Sequence, residues 1–427
     1  MAIALQVEIP KSTSETIIQF TCGSCRAMKL SKIVLSQSEY ENRIGRIRGE
    51  LAKRQLDALY LTSGTSILYT TAFSHIATKR PAALIIPLDG EITFMGPVIE
   101  SDHIKAATRL IKRVYSYLDY PGETHPMDLF AGWLKEMGLG DTSIGIDNLT
   151  GASGTWGYTG SSISDKLPEA KFVQAKDIVE NMRLIKSEEE IALIKESSKW
   201  AQVAHRFLEQ FTKPGLWDAE VAVKASLEAS RAMKRKLGAR YEQTRWGLGC
   251  ARADYRGQVG EGSAIPHAIS IKRKMRKGDV LVTGAEADIA GYSAELERTM
   301  ILGKPTSKQK KYFEIMVKMQ DAAFNTFGPD VKCSEVDKAT LKVARENGVT
   351  DYLRHHTGHG IGLGEHEPPW IDQGNHELLK PGMILSCEPG IYIPGFGGFR
   401  HSDTVLITKQ GSEIITKYPR DLESLTV

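Results

Sequence analysis

From Ser36 to Arg54, Tyr40, Ile44, Ile47 and Leu51 recur at steps of three and four among charged residues, which predicts an amphipathic helix. It leads into the apolar run Ala58-Leu-Tyr-Leu61, read as a strand. Pro81 to Pro87 and Ile92 to Met95 predict two more strands, divided by the turn residues Asp89 and Gly90. Helical patterns over 101–111 and 127–137 alternate with these strands, so residues 36–180 are expected to form an α/β domain behind an N-terminal extension, 1–35. Ser187 and Glu190 make a capping box that opens a long helix reaching about Phe211, at the start of a second domain spanning 181–427. Within it, Asp279 to Asp288 predicts a strand that turns near Ala290-Gly291 into a second strand, Tyr292 to Thr299. Side chains alternate along a strand, so Glu295 and Glu297 should share a face.

The 427 residues suffice for two domains with their own cores. The 55 basic and 52 acidic residues leave a formal charge of +3, which gives no reason to expect a nucleic-acid partner. No apolar run approaches the roughly 20 residues of a membrane-spanning helix, and the N-terminus lacks a secretory pattern; a cytoplasmic enzyme is expected. Five cysteines, at 22, 25, 250, 333 and 387, show no disulfide framework. Cys22 and Cys25 have redox or half-zinc spacing, but without a second pair they read as incidental.

The chemistry concentrates late in the chain: Thr357-Gly-His359-Gly-Ile-Gly362, Glu365-His366-Glu-Pro-Pro369, Ser386-Cys-Glu388-Pro-Gly-Ile-Tyr392 and Gly398-Phe-Arg400-His401-Ser402-Asp403. In this order the segments resemble the pita-bread hydrolases, the superfamily of methionine aminopeptidase, Xaa-Pro peptidases and creatinase. The resemblance implies a creatinase-like α/β N-terminal domain and an α+β pita-bread catalytic domain. It also implies, for the peptidases, two divalent ions held by two Asp, one His and two Glu. The matching positions here are Gly284, Glu295, His359, Glu388 and Ser402. Glycine offers no ligand, and a neutral hydroxyl is a poor substitute for a carboxylate on a hard cation. No metal cofactor is therefore expected. The alternative is a single zinc, manganese, iron or cobalt ion on Glu286, Glu295, His359 and Glu388.

Ile289-Ala-Gly-Tyr292 and Leu296-Glu-Arg-Thr299 resemble creatinase itself. That resemblance implies His267 as proton shuttle and Glu297 and Glu388 as holders of a cationic group. It also implies that Arg80, just before Pro81, reaches a substrate carboxylate across a dimer interface. Two carboxylates can grip a cation by charge-assisted hydrogen bonds while an arginine takes the acid, and a near-neutral histidine can move the proton. The catalytic candidates are thus His267, Glu297, His359 and Glu388; the substrate-binding candidates are Arg80, His366, Glu295 and Ser402. His355 and His356 read as structural or exposed. Trp370, Thr78 and Ser402 depart from creatinase. The expected function is metal-independent hydrolysis of a C–N bond in a small zwitterionic, amino-acid-like compound, by a homodimer whose pocket is shared. The alternatives are a metal-dependent Xaa-Pro peptidase acting on dipeptides, and a non-catalytic binding protein.

Overall fold

The computed structural model describes residues 33–152, 160–245, 250–269 and 271–427; the Cys22 to Cys25 segment lies outside them. The first helix, Gln37–Arg54, is capped by the Ser36 side chain and buries Ile44, Ile47 and Leu51. Each such side chain contributes roughly 1.5–3 kcal/mol on burial. It covers a six-stranded sheet built from Ala58–Leu61 (β1), Ala83–Pro87 (β2), Thr93–Pro97 (β3), Arg113–Tyr117 (β4), Ser143–Ile146 (β5) and Lys171–Gln174 (β6). The strand order is β4-β3-β2-β1-β5-β6. β1–β2 and β2–β3 are antiparallel, whereas β1–β5, β3–β4 and β5–β6 run parallel.

The capping box of Ser187 and Glu190 opens a 24-residue helix, Glu188–Phe211, followed by Asp218–Leu237. Both pack on the antiparallel strands Ala251–Asp254 (β7), Val280–Ala287 (β8) and Leu296–Ile301 (β9). A second sheet has the order β11-β10-β12-β15-β16, from Gly358–Gly360 (β10), Glu367–Ile371 (β11), Ile384–Cys387 (β12), Asp403–Thr408 (β15) and Gly411–Ile414 (β16). The hairpin Gly390–Ile393 (β13) and Gly397–Arg400 (β14) lies between β12 and β15 in the chain.

The second of the two strands expected around Ala290-Gly291 starts later than the pattern suggests. Ala290 and Gly291 turn with φ of 53° and 87°, and Tyr292 to Glu295 leave the ladder. Their backbone amides go elsewhere: Ser293 to the Gly362 carbonyl, Ala294 to Ser197 Oγ and Glu295 to Thr404 Oγ1. Glu295 is thereby fixed by the second sheet rather than by its own hairpin. β9 then meets that sheet through a mutual pair of backbone hydrogen bonds between Glu297 and Ser402, each 3.0 Å. Beneath this junction Arg298 and Asp403, both fully buried, pair at 2.7 Å. Arg298 also donates to the carbonyls of Glu297 and Ser402, clamping the two strands at the point where they cross.

Candidate active site

His359 comes from β10, with a glycine on either side for a steric reason. A Cβ at Gly358 would collide with the Ser386 carbonyl, and one at Gly360 with that of Pro368. Only glycine lets β10 lie so close to its neighbours. The His359 amide donates to Ser386 Oγ at 3.0 Å and its Nδ1 bonds the Gly360 carbonyl at 2.9 Å. Nδ1 is thereby engaged as a donor, and Nε2 faces inward. His359 is 1% exposed, its Nε2 has no hydrogen-bond partner, and Glu388 Oε1 stands 3.1 Å away. A nitrogen this close to a carboxylate calls for a proton or a cation between them. Burial lowers the His359 pKa, but Glu388 and Glu295 outweigh it and raise it to about 9, so in the absence of an ion a proton fills that place.

More carboxylates converge there. Donor atoms of Glu295, Glu297 and Glu388 lie within 4.8 Å of one another, as do those of His359, His366 and Glu388. Glu295 and Glu297 do point the same way, as the alternation predicts. Burial, followed by the charges of Glu388 and Glu297, pushes the Glu295 carboxyl up to about 8. Burial would also raise Glu388, but His359 and Arg400 outweigh it and hold that carboxyl at about 2. Ser402 Oγ donates to Glu295. His366, exposed, stacks on His359 with ring centroids 4.0 Å apart. Burial and the nearby His359 lower its pKa, so its imidazole is neutral at pH 7.

Arg400 was legible as a motif residue but carried no role in the sequence, and it proves central. Its guanidinium is buried against both oxygens of Glu297, with Nη2 at 2.6 Å from Oε1, while Nη1 donates to Tyr392 OH at 3.0 Å. His355 Nε2 lies 2.8 Å from the same hydroxyl. His355, read from the sequence as structural or exposed, is therefore one link of a chain running through Tyr392 and Arg400 to Glu297. Arg256, with a left-handed φ of 46°, brings a second guanidinium 3.4 Å from Glu297. Nothing in the local sequence pattern marks it, because its position depends on a backbone turn.

Other candidates sit apart. Glu286 pairs with Arg252, its cross-strand neighbour, at 2.6 Å, and does not join the donor cluster. Arg80 pairs with Asp119 at 3.1 Å. His267 is exposed in the loop after Gly260–Ala264, next to Ala268 and Ile269. Those two residues line a cavity of about 380 Å³ together with Asp254 and Arg256.

Against known families, residues 192–409 match the model of metallopeptidase family M24, and residues 43–185 match the Creatinase/Prolidase N-terminal domain. The chain belongs to family M24. It is 31% identical over 275 residues to a Xaa-Pro dipeptidase of Pyrococcus furiosus, covering 64% of this chain and 74% of that one. It is 28% identical over 374 residues to a Xaa-Pro dipeptidase of Pyrococcus horikoshii, covering 87% and 95%. Among solved structures, the Xaa-Pro dipeptidase from Bacillus anthracis superposes with a TM-score of 0.74 at 26% identity, covering 91% of this chain and all of that one. The pita-bread superfamily and two-domain architecture read from the motifs hold, and the chain is a C–N hydrolase of family M24, similar to Xaa-Pro peptidases.

Two expectations are corrected. A metal-independent, creatinase-like hydrolase gives way to a metallopeptidase, because the family model and these relatives are of the metal-dependent branch. The expected absence of a cofactor falls with it. Counting ligands position by position treated the losses at Gly284 and Ser402 as decisive. The folded chain still aims the unpartnered His359 Nε2 and a cluster of carboxylates at one point. One imidazole with carboxylate oxygens suits a divalent ion of the zinc, manganese or cobalt kind. The donor set fits a metal.

Proposed function

We propose that the chain is a metal-dependent peptidase that cleaves Xaa-Pro dipeptides. The observation that carries this reading is the inward-facing Nε2 of His359 beside Glu388 and Glu295. Relatives named Xaa-Pro dipeptidases, aligned over most of their length, support it. His359, Glu295 and Glu388 would hold the ion. When bound, a divalent ion supplies Lewis acidity, polarising the scissile carbonyl and easing deprotonation of the attacking water.

The remaining roles belong to the chain's own groups. Neutral His366 offers an N–H to a substrate carbonyl or carboxylate. Trp370, exposed, with its ring 6.4 Å from that of His359, gives a flat apolar surface for a pyrrolidine ring. Arg256, beside Glu297, would meet a substrate carboxylate. Arg400 fixes the Glu297 carboxylate in place. A cytoplasmic homodimer completes the proposal, with Arg80 of each protomer serving the other's pocket. Among the described residues no helix is long and apolar enough to cross a membrane.

The test is turnover of paired dipeptides by protein loaded with manganese or cobalt. Gly-Pro and Met-Pro should be cleaved at least tenfold faster than Gly-Ala and Met-Ala, and chelator should abolish the reaction. Equal rates for both pairs, or activity that survives complete metal removal, would overturn it.

A further inference from the structure

We propose that this centre holds one divalent ion, and that the Glu297–Arg400 ion pair stands where a second would sit. The inference rests on the metal-dependent reading above and deepens it.

The first observation is an exchange across one rung of the ladder. Gly284 and Glu297 are direct partners in the β8–β9 pairing. A Cβ built on Gly284 would lie 3.8 Å from Glu297 Oε1 and 4.0 Å from Asp254 Oδ1. A carboxylate from the opposite strand thus borders the space where a Gly284 side chain would extend. That carboxylate is already engaged. Arg400 grips both its oxygens from a position 4% exposed, and Arg256 approaches Oε1. A carboxylate held this way is charge-compensated by its guanidinium, which weakens its pull on a cation.

The second observation is the charge balance of what remains. With an ion bound and their protons displaced, Glu295 and Glu388 contribute two negative charges and His359 a neutral nitrogen donor. One divalent ion neutralises this set. A second would add two charges beside Glu297 and Asp254, carboxylates already faced by the guanidinium groups of Arg400, Arg256 and Arg252, and beside the neutral Ser402 hydroxyl, so repulsion from those cations opposes it. The third observation is independent of the acidic cluster: His359 Nε2 is buried, lacks a hydrogen-bond partner and is directed into the site.

The decisive experiment counts ions on the wild-type, tag-free protein. After chelator treatment the chain is titrated with Mn²⁺ and Co²⁺, with stoichiometry read by calorimetry and elemental analysis, and the Mn²⁺ form is examined by low-temperature electron paramagnetic resonance. One ion per chain with a mononuclear spectrum is expected. Two ions per chain at saturation, or an exchange-coupled pair signal, would overturn the proposal. His359→Ala should reduce binding at least tenfold; unchanged binding would show that the counted ion lies elsewhere and would also overturn it. In the complementary variant, Gly284→Asp with Glu297→Thr and Ser402→Glu, the count should rise to two. If that variant melts like the wild type and still binds one ion, the pair is not what excludes the second. Should the variant fail to fold, the wild-type count decides alone. Ion stoichiometry is read without substrate, so one ion with no Xaa-Pro cleavage would sink the proposed activity and leave this inference standing, whereas two ions with cleavage would do the reverse.

Discussion

At the scale of single residues, the groups around the centre differ in how replaceable they are. Tyr392 touches neither His359 nor Glu388 in the hydrogen-bond network, yet its hydroxyl joins Arg400 to His355. Outer groups that orient a metal centre typically contribute 10–100-fold to affinity or rate. Tyr392→Phe should therefore lower kcat/KM by about that factor while leaving the melting temperature within a few degrees; an unchanged rate would make the chain through Tyr392 a packing feature. His205 provides a different prediction, far from the ligands in sequence. It is fully buried, 2.7 Å from Thr283 Oγ1, and burial followed by the charge of Arg298 lowers its pKa to about 3. Its ordinary value is about 6.5. The unfolded chain thus binds a proton that the folded chain refuses between these limits. Stability is fully present above pH 6.5 and falls by up to about 1.4 kcal/mol per pH unit below it, from this group alone. Urea unfolding at pH 7 and pH 5 checks this: His205→Gln should lose less stability over the interval than the wild type. Equal losses would mean that His205 is protonated in the fold.

At the scale of elements, the crossing of β9 with the start of β15 is the joint that sets the carboxylates. Arg298 and Asp403 lie fully buried under it, and removing one partner strands the other's charge at a cost of about 3–5 kcal/mol. Arg298→Met should lower the unfolding free energy by about 3–5 kcal/mol in urea titration. The double change with Asp403→Leu should recover part of the loss. The same joint explains what the sequence could and could not disclose. Helix Gln37–Arg54 and the capping box at Ser187 are local devices, and three- and four-residue periodicity or a single Ser/Glu spacing suffices to find them. The motif around His359 was equally legible, since its glycines answer a steric demand two residues wide. The late start of β9 was not, because the amides of Ser293 to Glu295 are claimed by residues as distant as Ser197 and Thr404. Arg400 and Arg256 escaped for a related reason: an arginine has meaning only beside its carboxylate, and Glu297 lies more than a hundred residues from the first and on another strand from the second.

At the scale of the whole molecule, Arg43 ties the N-terminal helix to the catalytic part. From a fully buried position it donates to the Tyr69 carbonyl at 2.8 Å and pairs with Glu190 at 3.2 Å. Glu190 in turn accepts from Tyr292 OH at 2.8 Å, just ahead of Glu295. Assembly is the larger question. Subunit exchange between Arg80→Ala and Glu388→Ala proteins, each inactive alone, should restore a fraction of wild-type activity if Arg80 serves its partner's pocket. Verified exchange without recovery would confine Arg80 to its pairing with Asp119.

The Gly284–Glu297 rung has a consequence for how the chain is read. A glycine and a glutamate thirteen residues apart look unrelated along the sequence, yet they face each other across the ladder. The bare backbone on one strand leaves the acid on the other free to meet its guanidinium. Residues on paired strands are therefore best weighed together as neighbours in space.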